Sequence, residues 1–149
     1  MALNAQPTLF LLDAIEAAIA ALAAGPPDWK VGLFIGTPTL TEDTVLADLT
    51  EPAFTGYARV TMTAGTVRRD AAGNIILPLG TATFQPSADP VSTITVTGVF
   101  VIIGTDLVLA EFLDSPWQVV STGSALDVVE EVYVTNGAYY GGVCTTCRS

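Results

Sequence analysis

From Trp29 to Thr135 the chain is a succession of short runs rich in Val, Ile, Thr, Leu and Phe, broken by Gly, Pro, Asn and Asp roughly every 8–15 residues. No stretch in it is long and periodic enough to serve as a crossover helix, so parallel βαβ units are excluded. What remains is a mainly β protein: an antiparallel two-sheet β-sandwich or jelly roll with one N-terminal α-helix. The expected strands are Trp29–Ile35, Gly56–Ala64, Thr66–Arg69, Ile75–Leu79, Gly80–Gln85, Val91–Ile103, Leu107–Leu113, Trp117–Ser121 and Ala125–Thr135. Asp70-Ala71-Ala72-Gly73-Asn74 reads as a hairpin loop. Ser115-Pro116 reads as a break between two strands.

Val91–Ile103 is the longest of these. Ile94, Val96, Phe100 and Ile102 are expected on one face, with Thr93, Thr95 and Thr97 on the other. Beyond Gly98 both faces turn apolar, as in a strand at the centre of a sandwich. Leu126–Val134 has adjacent Glu130 and Glu131 and can be read as a short helix, but its density of β-branched residues favours strand.

Residues 8–24 follow different rules. Leu9, Leu12, Ile15, Ile19 and Leu22 recur at helical spacing, and Gly25-Pro26-Pro27 stops the run. A signal peptide needs a basic n-region, and the first basic residue is Lys30. A transmembrane helix needs about 20 apolar residues, and Asp13 and Glu16 interrupt this shorter run. An amphipathic helix, its stripe packed on its own domain or on a neighbouring subunit, is the reading that fits. The chain then divides into a helix and Gly-Pro-Pro hinge (1–27), a β-sandwich domain (28–137) and a loose C-terminal tail (138–149).

Five basic residues face fifteen acidic ones, a net charge of −10 over 149 residues. The cations are too few and too scattered to track phosphates or an anionic membrane, so neither nucleic acid nor membrane is an expected partner. Half of the residues are hydrophobic and 13% are charged, about half the usual charged share. Burial of apolar surface against other copies of the chain is the expectation.

Chemistry-bearing residues are sparse. The chain has no histidine, which removes Ser-His-Asp and Cys-His arrangements. Cys144 and Cys147 form one Cys-x-x-Cys. A structural zinc site needs two further Cys or His ligands, which only a symmetric intersubunit site supplies. Free thiols, a labile disulfide, an interchain disulfide and a shared metal are the alternatives. Asp106, Glu111 and Asp114 lie in one strand region, and Glu42, Asp43, Asp48 and Glu51 in one loop. Neither group has calcium-loop spacing or the aromatic surroundings of a glycosidase cleft. The expectation is no catalytic residue, no metal, no cofactor and no enzymatic activity.

One segment carries a pattern. Leu33-Phe34 ends a strand and Pro38 follows in a loop. Then come Ala47-Asp48-Leu49-Thr50-Glu51, Phe54, Thr55, Gly56-Tyr57 and Ala58. This resembles a box of the form Ala-Asp-(Phe/Leu)-Thr-Glu-x-x-(Phe/Tyr)-(Ser/Thr)-Gly-Tyr-Ala in small structural proteins of tailed bacteriophages and related viruses. The match covers about 30 of 149 residues and leaves out the N-terminal helix. The resemblance implies a structural virion component: a capsid-associated, decoration, head-fibre or tail-associated subunit. Its partners are then itself, as a symmetric homo-oligomer, and other virion proteins; a trimer suits a jelly-roll pillar. A lectin-like or adhesion module is the other reading of such a sandwich. Physically, Leu49, Phe54 and Tyr57 are expected to anchor the loop, Gly56 to allow its turn into a strand, and Asp48 and Glu51 to bond its backbone.

Overall fold

The computed structural model describes residues 16–21, 28–134 and 140–148, with Val134 and the last segment described as backbone only. Among the described residues eight strands form two four-stranded antiparallel sheets: β1 (Trp29–Ile35), β2 (Val60–Thr61), β3 (Arg68–Arg69), β4 (Ile75–Phe84), β5 (Ile94–Ile103), β6 (Asp106–Val119), β7 (Leu126–Val134) and β8 (Tyr140–Arg148). The first sheet runs β2-β1-β5-β6 and the second β3-β4-β7-β8. Successive strand pairs alternate between the sheets. A jelly roll passes from sheet to sheet between successive strands, so this order belongs to the sandwich alternative. A short helix, α1 (16–21), accompanies them. Among the described residues no helix is long and apolar enough to cross a membrane.

The inner faces of both sheets share one core. Val31 and Leu33 of β1, Val99 and Val101 of β5 and Trp117 of β6 meet Leu77 of β4 and Leu126 and Val128 of β7, all buried. Ile19 of α1 packs on the margin of this core, and Glu16 forms an ion pair with Arg69 of β3. Leu9, Leu12, Ile15 and Leu22 of the expected stripe lie outside the described residues.

Several boundaries differ from the sequence reading, each for a local reason. Ile75–Phe84 is one strand, because Gly80, at φ +90°, is taken up in a bulge between Pro78 and Gly80 and the ladder resumes beyond it. Asp106–Val119 is also one strand. On β5 the register passes from Val96 to Gly98 while on β6 it passes from Trp117 to Phe112. Leu113–Pro116 bulge out, and Pro116, with no N–H to donate, sits where the ladder is already broken.

That irregularity also corrects the expected faces of β5. Val96 joins Val99 and Val101 in the inter-sheet core, whereas Phe100 and Ile102 lie on the outer face. Gly56–Ala64 contributes only the two paired residues of β2. The expected loose tail is instead an edge strand, with β8 pairing antiparallel to β7 from Tyr140 opposite Val134 to Arg148 opposite Asp127. Its Tyr-Gly-Gly opening hid a run, Val143 to Arg148, that an adjacent strand edge can order through backbone hydrogen bonds alone.

The outer face of the first sheet is covered as well. Phe34, Phe100 and Ile102 form a second apolar cluster with Leu49, flanked by Leu40, Leu46, Leu107 and Ala110. The covering element is the long segment between β1 and β2, which carries the box.

Candidate functional site

The box segment is held to the sandwich at both ends. After β1, the Ile35 N–H donates to the Thr50 carbonyl at 2.8 Å, an isolated bridge that brings the loop back against the strand it left. Between them Leu46–Asp48 makes one 3-10 turn. Asp48 accepts the Val45 N–H through Oδ2 at 2.9 Å, which satisfies a donor at the head of that turn. Leu49 then drops onto Phe34 and Phe100 on the outer face.

Past Pro52 the chain rounds the edge of the sheet and enters the main core. Phe54 is buried and meets Trp117 edge-on, with centroids 5.8 Å apart, and Tyr57 edge-on at 5.4 Å. Tyr57 stacks in turn on Phe84 of the second sheet at 6.2 Å. Gly56 turns the chain between these rings at φ +91°. A Cβ there would lie 2.7 Å from Ser87 Oγ and 3.0 Å from Ser87 N, whose N–H donates to the Thr55 carbonyl. The position therefore needs glycine for its backbone conformation and for the close approach.

The polar part of the segment closes on itself. Arg59 donates through Nε to Glu51 Oε1 and through Nη2 to Oε2, both at 3.0 Å, a two-point pair of the strong kind. Its guanidinium lies over the Phe100 ring, 5.6 Å from the centroid. The Tyr57 hydroxyl donates to Glu51 Oε1 at 2.7 Å and accepts the Leu33 N–H at 2.9 Å. Burial pushes the Glu51 carboxyl up, but the hydrogen bonds from Arg59 and Tyr57 and the charge of Arg59 together hold it below its ordinary value. The hydrogen bond to Glu51 raises Arg59 above its ordinary value. Burial, reinforced by the Glu51 carboxylate, pushes the Tyr57 hydroxyl well above the usual phenol range.

Such a carboxylate is a poor base and such a phenol a poor acid, so the cluster acts as a clasp. Tyr57 joins the loop to β1, Glu51 joins Tyr57 to Arg59, and Arg59 caps the outer cluster. Beside it lies an open depression of about 520 Å³ lined by Val45, Leu46, Ala47, Leu49, Glu51, Arg59 and Thr105.

The other sequence-named residues are dispersed. Glu42, Asp43, Asp106 and Asp114 are exposed, whereas Glu111 turns inward between Leu109 and Leu113. Among the described residues no three His, Cys, Asp or Glu side chains stand close enough to hold a metal. In backbone register Cys144 lies opposite Glu130 and Cys147 opposite Val128. The Glu51–Tyr57–Arg59 clasp was only partly legible in sequence. Asp48 does bond the loop backbone, but Glu51 bonds side chains. The available signal was an acid and a base eight residues apart on either side of a glycine turn.

Two outcomes follow from the clasp. Tyr57→Phe keeps the ring stack and leaves the Leu33 N–H without its acceptor, an expected loss of about 1–3 kcal/mol in urea unfolding. Because the Glu51 carboxyl is lowered in the folded state, its contribution is present above its ordinary titration range and is lost as pH falls through the lowered value. Acid unfolding of Glu51→Gln is therefore expected to be less steep with pH than that of the wild type.

Comparison of the chain with known protein families, with characterised proteins and with solved structures finds no match.

Proposed function

We propose that this protein is a structural subunit of a phage-like particle, acting through subunit interfaces and without enzymatic activity. The supporting observation is the use to which the box is put. Leu49 packs on the outer cluster, Phe54 and Tyr57 on the main core, and Glu51, Tyr57 and Arg59 on one another. The residues that carry the resemblance are committed to holding a surface layer in one shape, which is what a subunit offering that layer to neighbours requires. Composition supports the same reading, since a chain half hydrophobic and only 13% charged has apolar surface to cover. Val45, Val91, Phe112 and Val120 are large apolar side chains left exposed on the single chain.

On this reading the partners are copies of the same chain in a closed symmetric oligomer, with other virion proteins beyond it, and the location is the virion. The purified full-length protein is expected to scatter light as a closed oligomer at micromolar concentration and to show a symmetric ring or pillar by electron microscopy. A strict monomer would overturn the proposal.

The depression beside the clasp favours a second reading, a lectin-like or adhesion module. Its mixed lining, an ion pair against Val45, Leu46 and Leu49, is of the kind that orients a small polar ligand. Saturable glycan binding by an unassembled chain would select it.

A further inference from the structure

The two ends of the first sheet differ in a way that suits them to each other. β6 is its last strand, and among the described residues no strand pairs with the second edge of β6. Bulges at Val108 and at Leu113–Pro116 bound a regular run, Leu109–Phe112, paired to Val101–Gly98 of β5. The run holds no lysine and no proline, the residues that ordinarily protect a strand edge, and its Phe112 is 46% exposed. At the other end stands β2, two residues long. The Met62 N–H donates to the Trp29 carbonyl at 2.8 Å. Backbone groups alternate sides along a strand, so the N–H and C=O of the exposed Thr61 point away from β1, toward the open margin.

Strand direction decides how copies can meet. In the order β2-β1-β5-β6 every neighbouring pair is antiparallel, and the strands number four. β6 therefore runs opposite to β2. A second copy set beside the first by rotation about an axis along the strands brings its β2 against β6 in antiparallel sense, and the sheet continues with no break in polarity. Val60 of β2 stands level with Val31, Val101 and Leu109 in the register of the sheet. An unshifted neighbour thus lays β2 beside the regular run of β6.

Charge favours this arrangement over a two-fold one. Pairing β6 with β6 of a second copy about Ala110 sets Asp106 against Asp114 twice, acid facing acid. The β2 margin instead carries Lys30 and Arg59, each about one-third exposed, alongside the Asp28 and Glu51 that pair with them. It is neutral on balance and brings two cations toward the two exposed acids of β6.

We propose, on the subunit reading above, that the β6 edge of one copy pairs with the β2 edge of the next, continuing the first sheet head to tail around a closed ring. Such a heterologous interface uses two different edges of each copy, and closure of the ring satisfies both in every copy.

The test mixes two full-length variants, each with one edge blocked. Thr61→Pro removes the outward N–H of β2 at an edge position where proline is tolerated. Phe112→Lys places a cation on the β6 edge, facing the neighbour's Lys30 and Arg59. The wild type is expected as an oligomer by size-exclusion chromatography with light scattering, and each variant alone as a monomer. An equimolar mixture is expected to give dimers and nothing larger, since one intact β6 edge meets one intact β2 edge and the blocked edges stop growth. Thr61→Lys, and Asp106→Lys combined with Asp114→Lys, block the same two edges at exposed positions and keep loss of assembly apart from loss of folding. Oligomers formed by Thr61→Pro alone would mark a two-fold β6 interface and overturn the ring. An assembled wild type whose mass none of the variants changes would overturn the edge pairing and leave the subunit reading standing, whereas a monomeric wild type would overturn both.

Discussion

Glu130→Gln is expected to melt well above the wild type at pH 8, and the difference is expected to shrink to little at pH 5. The argument rests on where the carboxyl sits. Its ordinary value is 4.5, which describes the unfolded chain, and burial beside Glu111 raises it to about 9 in the folded state. An acid raised by folding binds its proton more tightly when folded. Its contribution is therefore complete below pH 4.5 and is lost as pH rises through 9.

Each pH unit within that window costs a little over 1 kcal/mol, so by pH 7 the loss is on the order of 3 kcal/mol. For a domain of this size that is roughly 10 °C in melting temperature. Glutamine has no proton to lose and can donate its amide hydrogen to Glu111. The variant should therefore lack the alkaline decline while keeping the acid decline, which comes from groups lowered by folding, Glu51 and Asp70 among them. A melting curve measured from pH 5 to 9 checks this, and parallel pH profiles for the two proteins would refute it.

How much of this was legible in the sequence depends on whether the deciding interaction is local. Trp29–Ile35 was readable to the residue because a β-branched and aromatic run meets Gly36 and Pro38 at once. The hairpin loop at 70–74 was readable because Asp70 bonds the backbone of Ala72 and Asn74, a short-range habit of that residue type.

Breaks were harder. Gly80 and Ser115-Pro116 carry the same local chemistry whether a strand ends or bulges, and the outcome is decided by a partner strand distant in sequence. The faces of β5 inverted for that reason, with Phe100 and Ile102 leaving the core at a bulge that no alternation rule contains. At the candidate site, the anchor positions Leu49, Phe54 and Tyr57 could be named from their residue types. That Leu49 packs on the outer face and Phe54 between the sheets could not, because the loop rounds the edge of the first sheet between them. The pairing of Glu111 with Glu130 left no sequence trace, since the two come from different sheets and each looks like a solvated strand acid.

Gly98→Ala is expected to destabilise the domain by about 3 kcal/mol, a large effect for one added methyl group. On β1 and β5, Phe34 lies directly opposite Gly98 and Gly32 opposite Phe100, so each aromatic ring has a glycine as its cross-strand neighbour. The rings lie over the glycines closely enough that a Cβ on Gly98 would stand 2.0 Å from Phe34 Cζ, and one on Gly32 would stand 2.2 Å from Phe100 Cζ. Phe34 has little room to withdraw, since it is fully buried and meets Phe112 edge-on with centroids 5.5 Å apart. At Gly98 there is a second obstacle that no rotamer change removes: the Glu111 carbonyl oxygen, 2.5 Å from the added carbon. The backbone of β6 must therefore shift along with the ring. This separates the two glycines by experiment. Phe100→Leu should relieve most of the strain of Gly32→Ala, because the three nearest atoms there all belong to that ring, whereas Phe34→Leu should relieve only part of the strain of Gly98→Ala. Urea midpoints of the four single and two double variants measure both couplings. Equal relief in the two cycles would refute the role given to the β6 carbonyl. The outer layer rests on these two ring-over-glycine pairs, with Leu49 and Arg59 seated on top of them, so Gly98→Ala should also loosen the Glu51–Arg59 clasp and speed hydrogen exchange at the Leu33 amide.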